Sequence, residues 1–444
     1  MSPTHRARPA LKGEPAIATP QSHVHFSLPP VERRQLPNGA RLLAAHNGAS
    51  ETTVLSGMIV GGAALDPTGR EGLASFTASV AQRATTEQSY EQIYDRLDAL
   101  GASLGMGAGT HTVSFHAKCL SRDWEALAAL VIELLRGPSF PQAEFDKARG
   151  ELLTSLRQVD QDTGSVAARD LGHLVYPEGH PFHHPTHGYY HSVEPLTRDD
   201  LADCHRRLAR PDALTLTVVG NVAPGQALDT LDGLVADWER PATPLAQPAF
   251  DAAHPAEPQR TETVLADKTQ CDIALGFKAI PRSHDDWYAL DQATQIVGGM
   301  GLMGRLGDNV RDRQGLAYYV YARTQDSFGD ALWSVRAGVN PANVEKACDS
   351  ILHEIRTIQD DPVADQELAD VQSYLVGVLP LRLETNDGVA GTLNGMALYD
   401  LGDDYVERYP DIIRSVTKAD IQRTAQAHLT AERHSLAIAG PARS

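Results

Sequence analysis

The chain has 444 residues, which at about 150 residues per domain is enough for two to four domains. Its 39 basic and 57 acidic side chains give 39 minus 57, a formal net charge of −18. An excess of acid repels phosphate backbones and anionic headgroups, so nucleic acids and membrane surfaces are excluded as expected partners. Hydrophobic residues make up 42% and charged residues 22%, which is typical of globular domains and excludes a disordered or fibrous chain.

Cysteine spacing and the N-terminal segment predict the compartment. The two closest of the four cysteines, Cys204 and Cys271, are 67 positions apart, which suggests neither a C-x-x-C metal pair nor a disulfide framework. The basic residues Arg6, Arg8 and Lys12 are not followed by an apolar stretch of about 7 to 15 residues, so a secretory signal is not expected. These features predict a cytoplasmic protein.

Proline-rich segments divide the chain. Residues 1–31 are predicted to form a flexible lead-in, because six prolines fall within the first 30 residues. Five prolines between residues 241 and 258 mark a linker. We therefore predict two domains of similar length, residues 32–240 and 259–444, called here the first and second halves.

A helix is predicted after Ser89, because Ser89 and Gln92 fit a capping box and Gly101 is placed to end it. The residues that follow, Gly101–Gly105, match the G-x-S-x-G nucleophile elbow of serine hydrolases. That elbow requires a strand before it and a helix after it, whereas here a helix comes first. A helix C-cap and loop is therefore favoured over a serine hydrolase.

The second half repeats the first at an offset of 220 residues. Alternating apolar residues predict strands with one buried face in both copies, and each of these strands is followed by a helical pattern. The repeat predicts an α+β fold of two similar half-chain domains, each with an antiparallel-rich sheet packed with helices. The aligned segments are Val113–Cys119 with Trp333–Val339, Leu196–Leu201 with Val416–Ile421, and Leu214–Gly220 with His434–Gly440.

Two histidine patterns suggest metal sites at first sight. Pro181 and Pro185 interrupt a cluster of six histidines, so no helix holds them at a fixed spacing, and a polar loop is the favoured interpretation. His353 and Glu354 begin an H-E-x-x-H pattern, but Thr357 replaces its second histidine. The cluster comprises His173, His180, His183, His184, His187 and His191.

The segment Gly299–Gly304 matches the G-x-G-x-x-G pattern of dinucleotide sites. Such a site requires a strand before the glycines, so that the pyrophosphate meets the N-terminus of the following helix. The preceding segment instead has apolar residues at helical spacing, from Trp287 to Ile296. A nucleotide site is therefore disfavoured.

From about residue 32 onward, the sequence resembles the pitrilysin/insulinase zinc metallopeptidases, also called inverzincins, in their bacterial two-chain form. The resemblance rests on the order and spacing of several segments, which match the family's opening hairpin, zinc helix, following helix and first-domain end. These segments are Leu36–Leu43, Arg70–Ala74, Ser89–Gly105, and Arg210–Leu214 with Val218–Val222. The resemblance implies the family's two-domain α+β fold.

The resemblance also implies that the zinc site has been lost. Active members carry H-x-x-E-H on the zinc helix, with a glutamate about 76 residues later as third ligand. In this sequence Ser75 and Ser79 stand at the histidine positions, Ala78 at the catalytic base and Ser155 at the third ligand. A neutral hydroxyl is a poor zinc ligand and a methyl group cannot accept a proton, so we expect no metal or other cofactor in this chain.

The second half resembles the family segment that bears an Arg/Tyr pair seven residues apart, here Arg311 and Tyr318. In relatives this pair reaches a zinc site across a closed chamber, where tyrosine can donate to an oxyanion and arginine can hold a substrate carbonyl. Arg313 and Tyr319 are the alternative assignments. The resemblance further places substrate-binding glycines at Gly298, Gly299 and Gly301, in a loop shorter than the glycine-rich loop of the mitochondrial processing peptidase's non-catalytic subunit.

The resemblance implies a non-catalytic subunit of a heterodimeric zinc metalloendopeptidase, inactive alone. A homologous partner chain with H-x-x-E-H would supply zinc, this chain would close the peptide chamber, and peptides would bind as an added strand at a sheet edge. The alternative is a scaffold without a proteolytic role, like the family's core subunits in respiratory complexes. Retention of the Arg/Tyr pair favours the non-catalytic peptidase subunit, because a scaffold does not need those two groups.

Overall fold

The computed structural model describes residues 27–245, 250–253 and 255–443, and it contains two mixed sheets flanked by helices. The α+β prediction is confirmed. The strands are β1 (Val31–Gln35), β2 (Arg41–His46), β3 (Thr52–Val60), β4 (Ser103–Ala108), β5 (Thr112–Leu120), β6 (Leu214–Gly220), β7 (Gln259–Val264), β8 (Cys271–Ala279), β9 (Ala317–Thr324), β10 (Ala331–Val339) and β11 (Ser435–Gly440). The helices are α1 (Leu73–Ala81), α2 (Tyr90–Ala99), α3 (Trp124–Arg136), α4 (Gln142–Val159), α5 (Thr163–Val175), α6 (Tyr190–Val193), α7 (Arg198–Leu208), α8 (Pro224–Val235), α9 (Trp287–Thr294), α10 (Val344–Asp360), α11 (Asp365–Leu383), α12 (Asn386–Tyr399), α13 (Tyr405–Ser415) and α14 (Lys418–His428).

The two sheets share one strand order. The first runs β1-β2-β6-β3-β5-β4 and the second β7-β11-β8-β10-β9, so among the described residues the second has no counterpart of β1. In each sheet one pair of neighbours is parallel, β2 with β6 and β7 with β11, while the other neighbours are antiparallel. The repeat seen in the sequence is therefore a repeat of topology.

Local signals explain why corresponding helices begin at corresponding residues. Thr197 caps α7 and Thr417 caps α14, 220 residues apart, and each threonine hydroxyl accepts a hydrogen bond from the backbone N–H three residues later. In return, the carboxylates of Asp200 and Asp420 accept from the backbone N–H of the capping threonine, at 2.8 and 3.0 Å. Each pair satisfies two backbone donors that the helix itself cannot. The predicted capping box of Ser89 with Gln92 is also present.

Each half covers the other half's sheet with one of its helices. Apolar side chains of α5, among them Leu171 and Val175, pack against the alanines of β8 and β11, so a first-half helix lies on the second sheet. Conversely, Leu393 and Met396 of α12 pack against β2, β3 and β6 of the first sheet. A polar contact fixes α12 there, because the Asn394 amide donates to the Ser56 hydroxyl at 2.9 Å. We call this arrangement the helix exchange.

The predicted lead-in and linker are only partly described. Residues 1–26 of the lead-in lie outside the described residues, as do residues 246–249 and residue 254 of the linker. Within the described part of the linker there is no helix or strand, and the Phe250 ring lies 4.8 Å from that of His111. Among the helices described here, none has the length and apolar character needed to cross a bilayer.

His111 connects the halves and makes their contact sensitive to acid. Its Nε2 lies 3.2 Å from the Ser327 hydroxyl, its ring is 4.6 Å from that of Phe328, and burial lowers its pKa to about 4. Between pH 6.5 and 4 the unfolded chain protonates this imidazole while the folded chain does not. The free energy of unfolding therefore decreases as the pH is lowered through this range. We expect the melting temperature of His111→Phe to fall less steeply over that range than wild type.

Thermal unfolding followed by circular dichroism at several pH values between 7 and 4 measures this slope. The exposed His353 provides the matched control, and His353→Gln should keep the wild-type slope. Other buried histidines contribute to the same trend, so the slope should be reduced rather than abolished. Identical slopes for wild type and His111→Phe would contradict the assignment.

Candidate functional site

The helix predicted to correspond to the zinc helix, α1, is held at its start by backbone contacts. Gly72 precedes it with φ +96°, and a Cβ there would lie 2.5 Å from the carbonyl oxygen of His187, so the close approach requires glycine. The half-buried carboxylate of Asp66 accepts hydrogen bonds from the backbone N–H groups of Gly72 and Ala74, both at 2.9 Å. Burial raises the pKa of Asp66 to about 7 despite these bonds.

The four residues predicted to stand at the family's zinc and base positions lie on two helices that pack together. Ser75 and Ser79 are one turn apart on α1 and half-buried, while Ala78 is buried in the core. Ser155 is exposed on α4, the helix whose Phe145 ring lies 5.5 Å from Phe76 of α1. Three hydroxyls and a methyl group offer neither good zinc ligands nor a general base.

Four of the six histidines of the cluster, His173, His180, His183 and His184, are engaged in ordinary hydrogen bonds. His173 Nε2 and His184 Nδ1 lie 2.9 and 3.1 Å from the Tyr189 hydroxyl, and His180 Nε2 lies 2.9 Å from the Phe250 carbonyl oxygen. Burial lowers the pKa of His173 to about 4, so its ring is neutral at pH 7. The predicted polar loop holds His180, His183, His184 and His187, whereas His173 lies in α5 and His191 in α6.

Within the described residues, one group of three possible metal ligands occurs, and it lies elsewhere, at His284, Asp286 and His428. Asp286 already receives both guanidinium nitrogens of Arg423, at 2.7 and 3.0 Å. The Arg423 cation neutralises this carboxylate and would compete with a metal ion for it. The group is therefore explained as an ion-paired cluster.

Tyr318 is presented by an irregularity in an edge strand. Strand β9 is the last strand of the second sheet, and its pairing with β10 shifts between Tyr319 and Ala317, which leaves Tyr318 as the extra residue of a β-bulge. The Tyr318 side chain is 80% exposed. A bulge at a sheet edge redirects a side chain outward, so the hydroxyl is available to a ligand or partner.

Arg311 belongs to a π-helical segment, Gly307–Arg313, that leads into β9. Its side chain is about one-third exposed, and the nearest carboxylate oxygen is that of Asp312, at 4.0 Å. Backbone hydrogen bonds from Gly315 to Arg311 and from Leu316 to Val310, at 3.0 and 2.9 Å, fix the turn between them. Within the described residues, Arg311 therefore has no strong ion pair, because the Asp312 carboxylate at 4.0 Å is its nearest partner. π-Helical turns such as this one are frequent at functional sites.

The alternative residues of this segment have other contacts. The Tyr319 hydroxyl donates to the buried carboxylate of Asp272, and burial raises the pKa of this tyrosine. Arg313 is largely exposed and forms an ion pair with Asp308 at 2.5 Å. Arg311 and Tyr318 are thus the less engaged members of the two neighbouring pairs.

The glycines of the predicted substrate loop lie beside β9. Helix α9 continues as a π-helical turn, Gln295–Gly299, so the glycines follow a helix and lack the strand of a dinucleotide site. A Cβ at Gly298 would lie 2.9 Å from the backbone nitrogen of Ala322 in β9, and Gly301 has φ +61°. The neighbouring Met303 side chain is 83% exposed.

Comparisons with known proteins agree with this geometry. The model of the peptidase M16 inactive domain matches residues 195–375, which include the Arg311–Tyr318 segment. An uncharacterized zinc protease of Streptomyces coelicolor is 23% identical over 439 residues, which are 98% of this chain and 93% of the relative. A Helicobacter pylori protein named non-peptidase homolog YmxG is 24% identical over 328 residues, 73% of this chain and 74% of that one.

The fold is also found among solved structures. The crystal structure of a peptidase M16 inactive domain from Pseudomonas fluorescens matches with a TM-score of 0.85 and 21% identity, covering 94% of this chain and 98% of that one. The sequence matches and the shared fold agree with one another. These matches confirm the resemblance to the pitrilysin/insulinase peptidases, and the part of the chain similar to the peptidase M16 inactive domain is residues 195–375.

Proposed function

We propose that this chain is the non-catalytic subunit of a heterodimeric zinc metalloendopeptidase. It closes a peptide chamber and contributes Arg311 and Tyr318 to the active site of a homologous partner that carries H-x-x-E-H and zinc. The observation that carries the proposal is the presentation of Tyr318, which a bulge in an edge strand leaves 80% exposed. An exposed tyrosine offers a ligand or partner both an aromatic ring and a hydroxyl that can donate a hydrogen bond.

The chemistry of the two groups suits peptide hydrolysis. Hydrolysis of a peptide bond places negative charge on the carbonyl oxygen in the transition state, and a positioned hydroxyl donor lowers the energy of that state. A guanidinium keeps its charge and can hold a carbonyl by two N–H groups. The exposed edges of the sheets, β4 and β9, offer backbone groups to an added peptide strand.

Replacing Arg311 in the assembled complex tests the proposal. The chain would be co-expressed with a homologous H-x-x-E-H chain, and cleavage of a fluorogenic peptide would be measured for wild type and Arg311→Ala. A lost charged hydrogen bond costs about 1.5–3 kcal/mol, so kcat/KM should fall about 10- to 100-fold. Arg313→Ala, in the same segment but largely exposed, should stay within about twofold.

The second candidate is a scaffold that assembles with a partner but takes no part in hydrolysis. It is favoured by the replacement of all four zinc and base positions, Ser75, Ala78, Ser79 and Ser155. Under this alternative the partner's activity would depend on the presence of the chain but not on Arg311. Cleavage that is unchanged in Arg311→Ala, with complex formation intact by size-exclusion chromatography, would select the scaffold.

A further inference from the structure

A cavity of about 270 Å³ lies between the two halves, next to the replaced zinc position. Its walls come from the end of α4, the start of α5 and the loop before α6, and the second half contributes one side chain, Arg336 of β10. The α4 residues Leu156 and Val159 give it an apolar side, and Ser165, Arg169 and Tyr189 a polar one. We call it the Arg336 cavity.

Arg336 is the cation of this cavity that lacks a partner. Within the described residues it forms no ion pair within 4.0 Å, whereas Arg169 is bound to Asp160 at 2.6 Å. The nearest acid on the neighbouring strand is Asp272, whose two carboxylate oxygens accept from the hydroxyls of Thr163 and Tyr319. Burial lowers the pKa of His184 and His187, so these lining histidines are neutral at pH 7. The lining therefore carries one uncompensated positive charge.

The other half of the repeat shows what normally compensates this charge. At the offset of 220, Arg336 corresponds to His116 of β5, which lies under the exchanged helix α12. There Asp387, the second residue of α12, binds His116 at 2.7 Å and Lys118 at 2.9 Å. The equivalent second residue of α5 is Gly164, which has no carboxylate. The second sheet has a basic residue at this strand position, but the helix that packs on it, α5, has no acid at the equivalent position.

We propose that the Arg336 cavity binds the carboxylate of a peptide, with the Arg336 guanidinium as its partner. A carboxylate supplies one negative charge and can accept two parallel hydrogen bonds from a guanidinium. The single unpaired cation matches this charge better than that of a phosphate dianion. The apolar side of the cavity suits the carbon atoms of the same residue.

The ligand is a peptide because of where the cavity lies. Leu156 follows Ser155 directly on α4, and Gly188 of the lining packs against the backbone of Glu71 at the start of α1. The identification of the carboxylate as peptidic rests on the proposed function, while the anion preference rests on Arg336 alone. Two sources share this chemistry, the C-terminal carboxylate and an Asp or Glu side chain.

Binding to the isolated full-length chain tests the inference without catalysis. Three fluorescein-labelled hexapeptides of alanine and leucine would be compared by fluorescence anisotropy: the free acid, its C-terminal amide, and the amide with one internal glutamate. We expect the free acid, the glutamate peptide or both to bind at least about tenfold more tightly than the plain amide. Preference for the free acid identifies the C-terminus, and preference for the glutamate peptide identifies a side chain.

Substitution assigns the preference to one residue. Arg336→Ala should remove it, whereas Arg122→Ala, a largely exposed arginine of the first half, should not. Equal binding of the three peptides, binding of none of them, or a preference that survives in Arg336→Ala would overturn the inference. Because no partner or zinc takes part, cleavage that ignores Arg311 would remove the proposed function and leave this result standing. The comparison of peptides on wild type stands even if Arg336→Ala does not fold.

Discussion

Peptide cleavage by the assembled complex is expected to fall about 10²- to 10³-fold when Tyr318 is replaced by phenylalanine, because removal of one oxyanion donor typically costs that much in kcat. The change deletes one oxygen and keeps the ring. The side chain is 80% exposed, so removal of its hydroxyl should not change the stability of the fold. Steady-state kinetics with the co-expressed H-x-x-E-H chain would show the loss mainly in kcat, since the donor acts on charge that develops in the transition state.

The matched control is Tyr374→Phe, which removes the hydroxyl of another exposed tyrosine, on α11. Its kcat should stay within about twofold of wild type. Equal melting temperatures for wild type, Tyr318→Phe and Tyr374→Phe would show that the effect is catalytic. If Tyr318→Phe cleaves as fast as wild type, Tyr318 does not assist the reaction.

Truncation of Leu171 is expected to lower the free energy of unfolding by about 2–5 kcal/mol, because Leu→Ala in a close-packed core loses both apolar contact and volume. Leu171 lies in α5 and is fully buried against the second sheet. A Cβ at Gly276 of β8 would lie 3.0 Å from its Cδ2, which shows how closely the helix approaches the strand. Urea unfolding measures the change.

Leu381→Ala provides the control, since this leucine of α11 is 62% exposed and its truncation should cost less than about 0.5 kcal/mol. The helix exchange adds a second expectation. Because α5 belongs to the first half and rests on the second sheet, both halves should unfold in one transition in wild type. Two separate transitions, with Leu171→Ala affecting one of them, would show that the halves fold independently.

Much of the fold could be predicted because its signals are local. The capping residues Ser89, Thr197 and Thr417 each act within one helical turn, so their neighbours in sequence suffice to place a helix start. The helix exchange could not be predicted in this way. The apolar face of α5 indicates that Leu171 is buried, but periodicity carries no information about which sheet covers it.

Some residues of the candidate site could likewise be predicted from the sequence, and others could not. The replaced residues of α1 and the Arg311–Tyr318 segment could be identified from motif spacing and family resemblance, and their roles stay predictions. Arg336 could not, because its importance depends on the absence of an acid from a helix about 170 positions earlier in the chain. The alternation of β10 predicts that Arg336 faces away from the core but does not reveal the cavity.

The helix exchange also limits how the molecule can move. A hinge motion that separated the first and second halves would have to remove α5 from the alanines of β8 and β11. It would also have to remove α12 from β2, β3 and β6, so that two apolar surfaces would be exposed to water at once. The chain should therefore behave as one rigid shell. If peptides enter a chamber, the hinge lies between this chain and its partner, and the rate of entry is set by subunit contacts rather than by bending within the polypeptide.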